Sequence, residues 1–340
     1  MQRLMEQLRT PQTEQLPSYN SITNAASAAA ATAASAVPRG NRGPNSTAQR
    51  RKGMALTAAS AVAFAVMALL VQVLDSRGYT ALQTMFWRGV VQSIGALVVC
   101  LVRGVQPLRV VGDWKRFRWV LMRAVFGSIG HVLYYMALAR MAMGTATVLF
   151  FTNPLFTAAF ARWLLHEPLP PRAAWLMAGA LGGVVLVAAP LSPLSLAVGA
   201  VPLQWALLAL LGAASTALAY TSIRIAGRLV HPMVHVMYFG VIAAVGALVL
   251  SRAAGQPWKM PENSLAGWAP VVGVGVTALT AQFLMNWGLQ LAHAAPVVMV
   301  RNSAVAISFV LDIIVYQTVP SLLGTLGAVL ITVCAILISR

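Results

Sequence analysis

Charge is scarce in this sequence, and negative charge is scarcest: 340 residues hold 24 Lys and Arg but only 7 Asp and Glu, and charged residues make up 9% of the chain. An ordinary soluble domain carries roughly 25%. So little charge excludes a water-facing surface along most of the length. Cysteine is nearly absent as well. Cys100 and Cys334 both fall in apolar runs, where they build neither a disulfide framework nor a metal-ligand spacing and read as small buried hydrophobes. His166, His231, His235 and His293 stand at no metal-binding spacing with one another or with cysteine. No nucleophile–base pair and no paired catalytic carboxylates fall at a usable distance along the chain, so the sequence reads as no enzyme and calls for no cofactor.

What remains is hydrophobic, at 59% of the residues. Lys, Arg, Asp and Glu are missing altogether from Gly53 to Leu74, Met141 to Ala161, Ala173 to Ile223, Asn263 to Val300 and Ile313 to Ser339. Several of these runs exceed the ~20 residues that cross a bilayer as helix. Residues 1–52 differ: they hold a small-residue tract, "NAASAAAATAASAVPRGNRGPNS", and a basic end, "QRRKG", and read as a disordered basic tail. Glu6 and Glu14 sit oddly with an organellar transit peptide, which favours the plasma membrane or an endomembrane over a plastid.

Prolines, glycines and charges divide the rest into ten predicted helical spans, near 54–73, 80–102, 117–139, 143–165, 172–189, 204–226, 232–251, 265–289, 295–316 and 320–339. A neutral, proline-rich linker at 191–203 separates a first half, 53–190, from a second, 204–340. The Lys and Arg of the connections fall thirteen on the side of the N-terminus and four on the other, which puts both termini in the cytoplasm. The +17 net charge therefore orients the protein and attracts anionic lipid headgroups, with no nucleic acid required. Five spans per half is an odd number, so the halves must be inverted, the plan of carriers whose site lies near the midplane at the repeat interface. Sliding the chain on itself by 151 residues aligns "YMALARMAMGTATVLFFTNPLF" with "NWGLQLAHAAPVVMVRNSAVAI" without a gap.

Arginine inside a span costs about 2.5–3.5 kcal/mol if it meets lipid, so Arg88, Arg123 and Arg301 are expected to face the interior. Arg123 has a second option, because it lies close enough to the inner boundary to snorkel. Polar stripes accompany them at helical spacing: Thr84, Arg88 and Gln92; Arg123, His131 and Tyr135; Gln282, Asn286 and Gln290. Matching stripes in the two halves suggest a water-filled cavity, although such residues can also simply bond helices together. Asp312 lies three turns beyond Arg301, a rise of roughly 16 Å, so the two cannot pair. An electropositive interior implies an anionic substrate held by Arg301 and Arg88, with Asn302, His131, Tyr135, Gln282, Asn286 and Gln92 around it. Asp312 or His131 could carry a coupling proton. Pro154, in "FFTNPLF", should kink the fourth span, and Glu167, in "LLHEPLPPR", reads as loop architecture.

The segments "LMRAVFGSIGHVLYYMALARMAMGTATVLFFTNPLFTAAFARWLLHEPLPPRAAWLMAGALGGVVLV" and "AQFLMNWGLQLAHAAPVVMVRNSAVAISFVLDIIVYQTVPSLLGTLGAVLITV" resemble the two EamA repeats of the drug/metabolite transporter superfamily. Within it, the chain is most similar to the G subgroup of solute carriers related to nucleotide-sugar transporters. The resemblance implies an all-α integral membrane protein of ten transmembrane helices in two inverted five-helix EamA repeats, working by alternating access without ATP hydrolysis. In such relatives a basic residue on the ninth helix meets the anionic group, and Arg301 occupies that place; the usual Lys-Thr pair reads Arg301-Asn302. The expectation is a secondary carrier of a small organic anion. An exporter of amphipathic metabolites, amino acids or drugs is the second reading, and a non-transporting membrane scaffold the third. A homodimer is left open.

Overall fold

The computed structural model describes residues 47–138, 140, 146, 149–168, 172–188, 203–316 and 322–339. The tail up to residue 46 and the proline-rich linker lie outside these residues. Eleven α-helices occur among the described residues: α1 Thr47–Ser76, α2 Ala81–Val102, α3 Trp114–Leu138, α4 Asn153–Leu164, α5 Ala173–Ala188, α6 Leu203–Ala226, α7 Pro232–Ala253, α8 Leu265–Leu291, α9 Ala294–Arg301, α10 Ala304–Tyr316 and α11 Leu322–Ser339. Seven helices, with α9 and α10 counted together, are long and apolar enough to cross a membrane; α5 and α11 are shorter apolar helices. Their outer faces carry apolar rows where a soluble protein would carry charge, such as Leu322, Leu326, Val329, Val333 and Ile336, all exposed at helical spacing on α11.

Three expectations change. Residues 47–52 belong to α1 and not to the tail: Arg and Lys favour helix, and continuing the helix pairs backbone groups at the point where the chain enters the apolar region. Lys52 there lies 4.8 Å from the Trp287 ring. The fourth span is interrupted at Phe151–Thr152, and α4 starts with Asn153 and Pro154, where a missing N–H costs nothing. The ninth span is likewise interrupted, at Asn302–Ser303, where the hydrogen bonds tighten to three-residue spacing: Ser303 N to Val300 O and Val305 N to Asn302 O, both 3.1 Å. Ser303 Oγ also bonds the Val300 carbonyl, at 2.7 Å. Short polar side chains that compete for backbone groups make this a natural place for a helix to break.

Helix pairing follows the 151-residue offset. Adding 151 to the bounds of α2 gives 232 and 253, the bounds of α7, and adding it to α4 gives 304 and 315 against an α10 of 304–316. The details repeat as well. Thr80 caps α2 by accepting from Gln83 N, and its twin His231 caps α7 by accepting from Met233 N. Beyond the far ends, Gly104 at φ 66° and its twin Gly255 at φ 59° make the left-handed turn that other residues resist. Between the halves α1 packs on α8 and α3 on α6, an exchanged pair, while α2 packs on its own twin α7 and α5 on α11. At the α2–α7 crossing a Cβ on Gly89 would lie 2.6 Å from the Gly240 carbonyl oxygen, and one on Gly240 would lie 2.9 Å from that of Gly89. Small residues at the crossings let backbones approach closely, which drives helix association in lipid.

Candidate functional site

Three arginines from three helices converge on the interior. Arg123 on α3 is fully buried, donates from Nη2 to Gln282 Oε1 (2.8 Å), and lies over the Phe239 ring at 4.2 Å and the Tyr220 ring at 5.9 Å. Arg88 on α2 reaches the same Phe239 ring at 5.7 Å. Arg301 at the end of α9 reaches the same Tyr220 ring at 6.0 Å, with Phe64 at 5.1 Å and Phe151 at 5.4 Å. The three guanidiniums thus form a ladder, each neighbouring pair sharing one aromatic ring whose negative face softens their repulsion. No described ion pair includes any of them. Arg88 Nε and Nη2, Arg123 Nε and Arg301 Nε are buried with no hydrogen-bond partner among the described residues.

His131 stands beside the ladder, donating from Nδ1 to the Gly127 carbonyl (2.7 Å) and packing at 5.7 Å from the Phe239 ring and 6.3 Å from Phe150. Gln282 joins through Arg123. Asn302 accepts from Arg301 Nη1 at 3.4 Å and donates to the Phe151 carbonyl at 3.2 Å, so the two interrupted spans are tied at their breaks. Gln92 donates to the Val236 carbonyl (3.0 Å) and Asn286 to that of Pro232 (3.5 Å), which ties α2 and α8 to α7. Their amide oxygens Gln92 Oε1 and Asn286 Oδ1 have no partner among the described residues. Tyr135 is half-buried beside Tyr134, whose ring stacks on Phe150 at 4.3 Å. Asp312 falls on α10, and its side chain lies outside the described residues.

Sequence reasoning left Arg123 between interior and boundary, and the structure buries it at the centre of the ladder. It also missed Phe239 and Tyr220, because an aromatic in an apolar helix carries no local mark of function. A usable signal existed: the 151-residue offset that aligns the halves sets Arg88 opposite Phe239 and Phe150 opposite Arg301. Buried polar groups continue past the ladder in Asn153 and His235, both fully buried with neither side-chain polar atom partnered among the described residues. A cavity of about 780 Å³ opens elsewhere, between α1, the α9–α10 turn and α11, with Arg50, Arg51, Met54 and Ala335 in its walls. Val300 and Ser303 also line it, but Arg301 and Asn302 do not. No group of His, Cys, Asp and Glu among the described residues could hold a metal ion.

Apolar spans around a buried polar interior define a multi-pass integral membrane protein. The chain belongs to the EamA-like transporter family, whose model matches it twice, over residues 51–189 and 203–340. It is 26% identical over 290 residues to the pseudopaline exporter CntI of Pseudomonas aeruginosa, covering 85% of this chain and 96% of that one. It is 25% identical over 275 residues to human solute carrier family 35 member G1, covering 79% and 73%. A solved crystal structure superposes with a TM-score of 0.69 at 20% identity, over 83% of this chain and 94% of the other, a likeness of fold. The protein is a membrane transporter, and its relatives point away from an enzyme.

Proposed function

We propose that the protein is a secondary carrier of a small organic anion, working by alternating access between two inverted five-helix repeats with both termini in the cytoplasm. The observation that carries this reading is the ladder of Arg88, Arg123 and Arg301. It places three positive charges in the interior with no described carboxylate partner, and leaves several guanidinium N–H groups without an acceptor. Buried charge without a partner is costly, and a substrate carrying carboxylate, phosphate or sulfate would supply both counter-charge and acceptors. Arg301 and Arg88, at the two ends of the ladder, are the residues we assign to the anion. Asn302, Gln282, Asn286, Gln92 and Tyr135 supply neutral polar contacts, and His131 or Asp312 is the candidate for proton coupling.

The aromatic rings of Phe64, Phe151, Phe239 and Tyr220 around the guanidiniums favour a substrate with an apolar or planar body as well as charge. The exporter among the relatives supports outward movement of such a compound as a second reading. Uptake of labelled organic anions into proteoliposomes tests the assignment. Removing a charged hydrogen bond costs about 1.5–3 kcal/mol, so Arg301→Ala should weaken apparent affinity roughly 10-fold or more. Arg301→Lys, which keeps the charge but loses the fork, should fall between. Wild-type uptake by both variants would remove Arg301 from the anion site.

A further inference from the structure

Glu167 follows α4 and is almost buried, yet the partners of its carboxylate among the described residues all come from the second half of the chain. Oε1 accepts from Arg224 Nε on α6 at 2.6 Å and lies 3.4 Å from His293 Nδ1, in the α8–α9 connection. Oε2 accepts from the backbone N–H of Ala294, the first residue of α9, at 3.0 Å. Arg224 also donates from Nη1 to the Gln290 carbonyl on α8 (3.2 Å), so one carboxylate gathers the ends of α6, α8 and α9. Helix α9 has no side-chain cap of its own at His293, and the cap comes from the other repeat. His166 adopts φ 55°, a left-handed conformation that a residue other than glycine resists, and this turn brings Glu167 across.

Building on the carrier reading above, we propose that Glu167 is a gating residue. Its carboxylate latches the first repeat onto the second at this end of the bundle, and the latch must release for the site to open there. The latch acts on the helices that bear the ladder: Tyr220 lies one turn from Arg224 on α6, and Arg301 lies two turns from Ala294 on α9. Motion of the α9 end is therefore transmitted along a short rigid helix to the guanidinium that meets the anion. The twin of Glu167 at the 151-residue offset is Thr318, which offers no carboxylate. At this position the carboxylate is therefore a feature of the first repeat and is not repeated in the second.

Thiol accessibility tests the gate without any transported substrate. Val297, one turn into α9 and fully buried, is replaced by Cys in a Cys100→Ala/Cys334→Ala background. A membrane-impermeant maleimide is then added in proteoliposomes to the face that bears the α4–α5 connection. Glu167→Gln and Arg224→Gln should each speed labelling at least about 5-fold, the effect of a ~1 kcal/mol shift between states. A control cysteine at Ala243, buried on α7 away from the latch, should stay protected. If Glu167→Gln fails to fold, Glu167→Asp, one methylene shorter and still charged, should give a smaller acceleration. Unchanged labelling in folded variants, or equal exposure of both cysteines through general loosening, overturns the gate. If no organic anion is transported or bound by wild type while the Val297 labelling still responds, the anion reading fails and the gate stands.

Discussion

Burying Arg123 between Phe239 and Tyr220 strips its hydration, which one hydrogen bond to Gln282 replaces only in part. Stability alone would be served as well by an apolar side chain of similar length. Replacing Arg123 alone would orphan Gln282 Oε1 at about 1–3 kcal/mol, so the informative variant is Arg123→Met/Gln282→Leu. We expect it to melt no lower than wild type in anion-free buffer and to lose part of the stabilisation that a bound anion gives, since Arg88 and Arg301 remain. A large drop in melting temperature with anion binding intact would make Arg123 a packing residue. At this scale the sequence was partly informative. Arg88 and Arg301 stand out because charge in an apolar span is expensive, whereas Arg123 lay near enough to a boundary to have two solutions and only packing chose between them.

Helices are where the sequence spoke most clearly. Runs without charge, bounded by Gly and Pro, placed the sixth and eighth spans at 204–226 and 265–289, against α6 at 203–226 and α8 at 265–291. The break at Asn302–Ser303 escaped notice because "VRNSAV" holds neither proline nor glycine, and its turn depends on Asn302 reaching Phe151 on another span. Crossings depend on a few glycines. Gly89→Ala puts a Cβ 2.6 Å from a backbone oxygen and forces α2 from α7, so size-exclusion chromatography should show little folded protein. Gly182→Ala meets nothing within 4 Å and should keep or raise the melting temperature, since alanine favours helix by about 0.8–1.0 kcal/mol.

The Glu167 connection adds a pH dependence. Burial alone would raise its carboxyl pKa, but the contacts with His293 and Arg224 outweigh burial and hold it below the usual carboxylate range. A depressed pKa contributes stability that is present above the unfolded value, about 4.3 for Glu, and is lost as pH falls through the folded value. The melting-temperature gap between wild type and Glu167→Gln should hold from neutral pH down to about 5 and shrink only below about 4. A gap that already closes between pH 7 and 6 would contradict this assignment.

Across the whole molecule the two halves share a plan and differ in chemistry. Arg88 faces its twin Phe239, while Arg301 has Phe150 as its twin, so each half contributes one arginine and one aromatic at matching positions. An interior built this way is positive along the whole ladder, with aromatic rings between its rungs. An anion would complete it, and the melting temperature of purified protein against a panel of organic anions and amphipathic cations at constant ionic strength, for wild type and Arg301→Ala together, decides whether one does. A ligand that binds only the folded state raises melting by mass action, by about 2.7 kcal/mol at a hundredfold excess over Kd. At least one anion should stabilise wild type strongly and Arg301→Ala weakly or not at all. Stabilisation by an amphipathic cation alone, equal in both proteins, would contradict it.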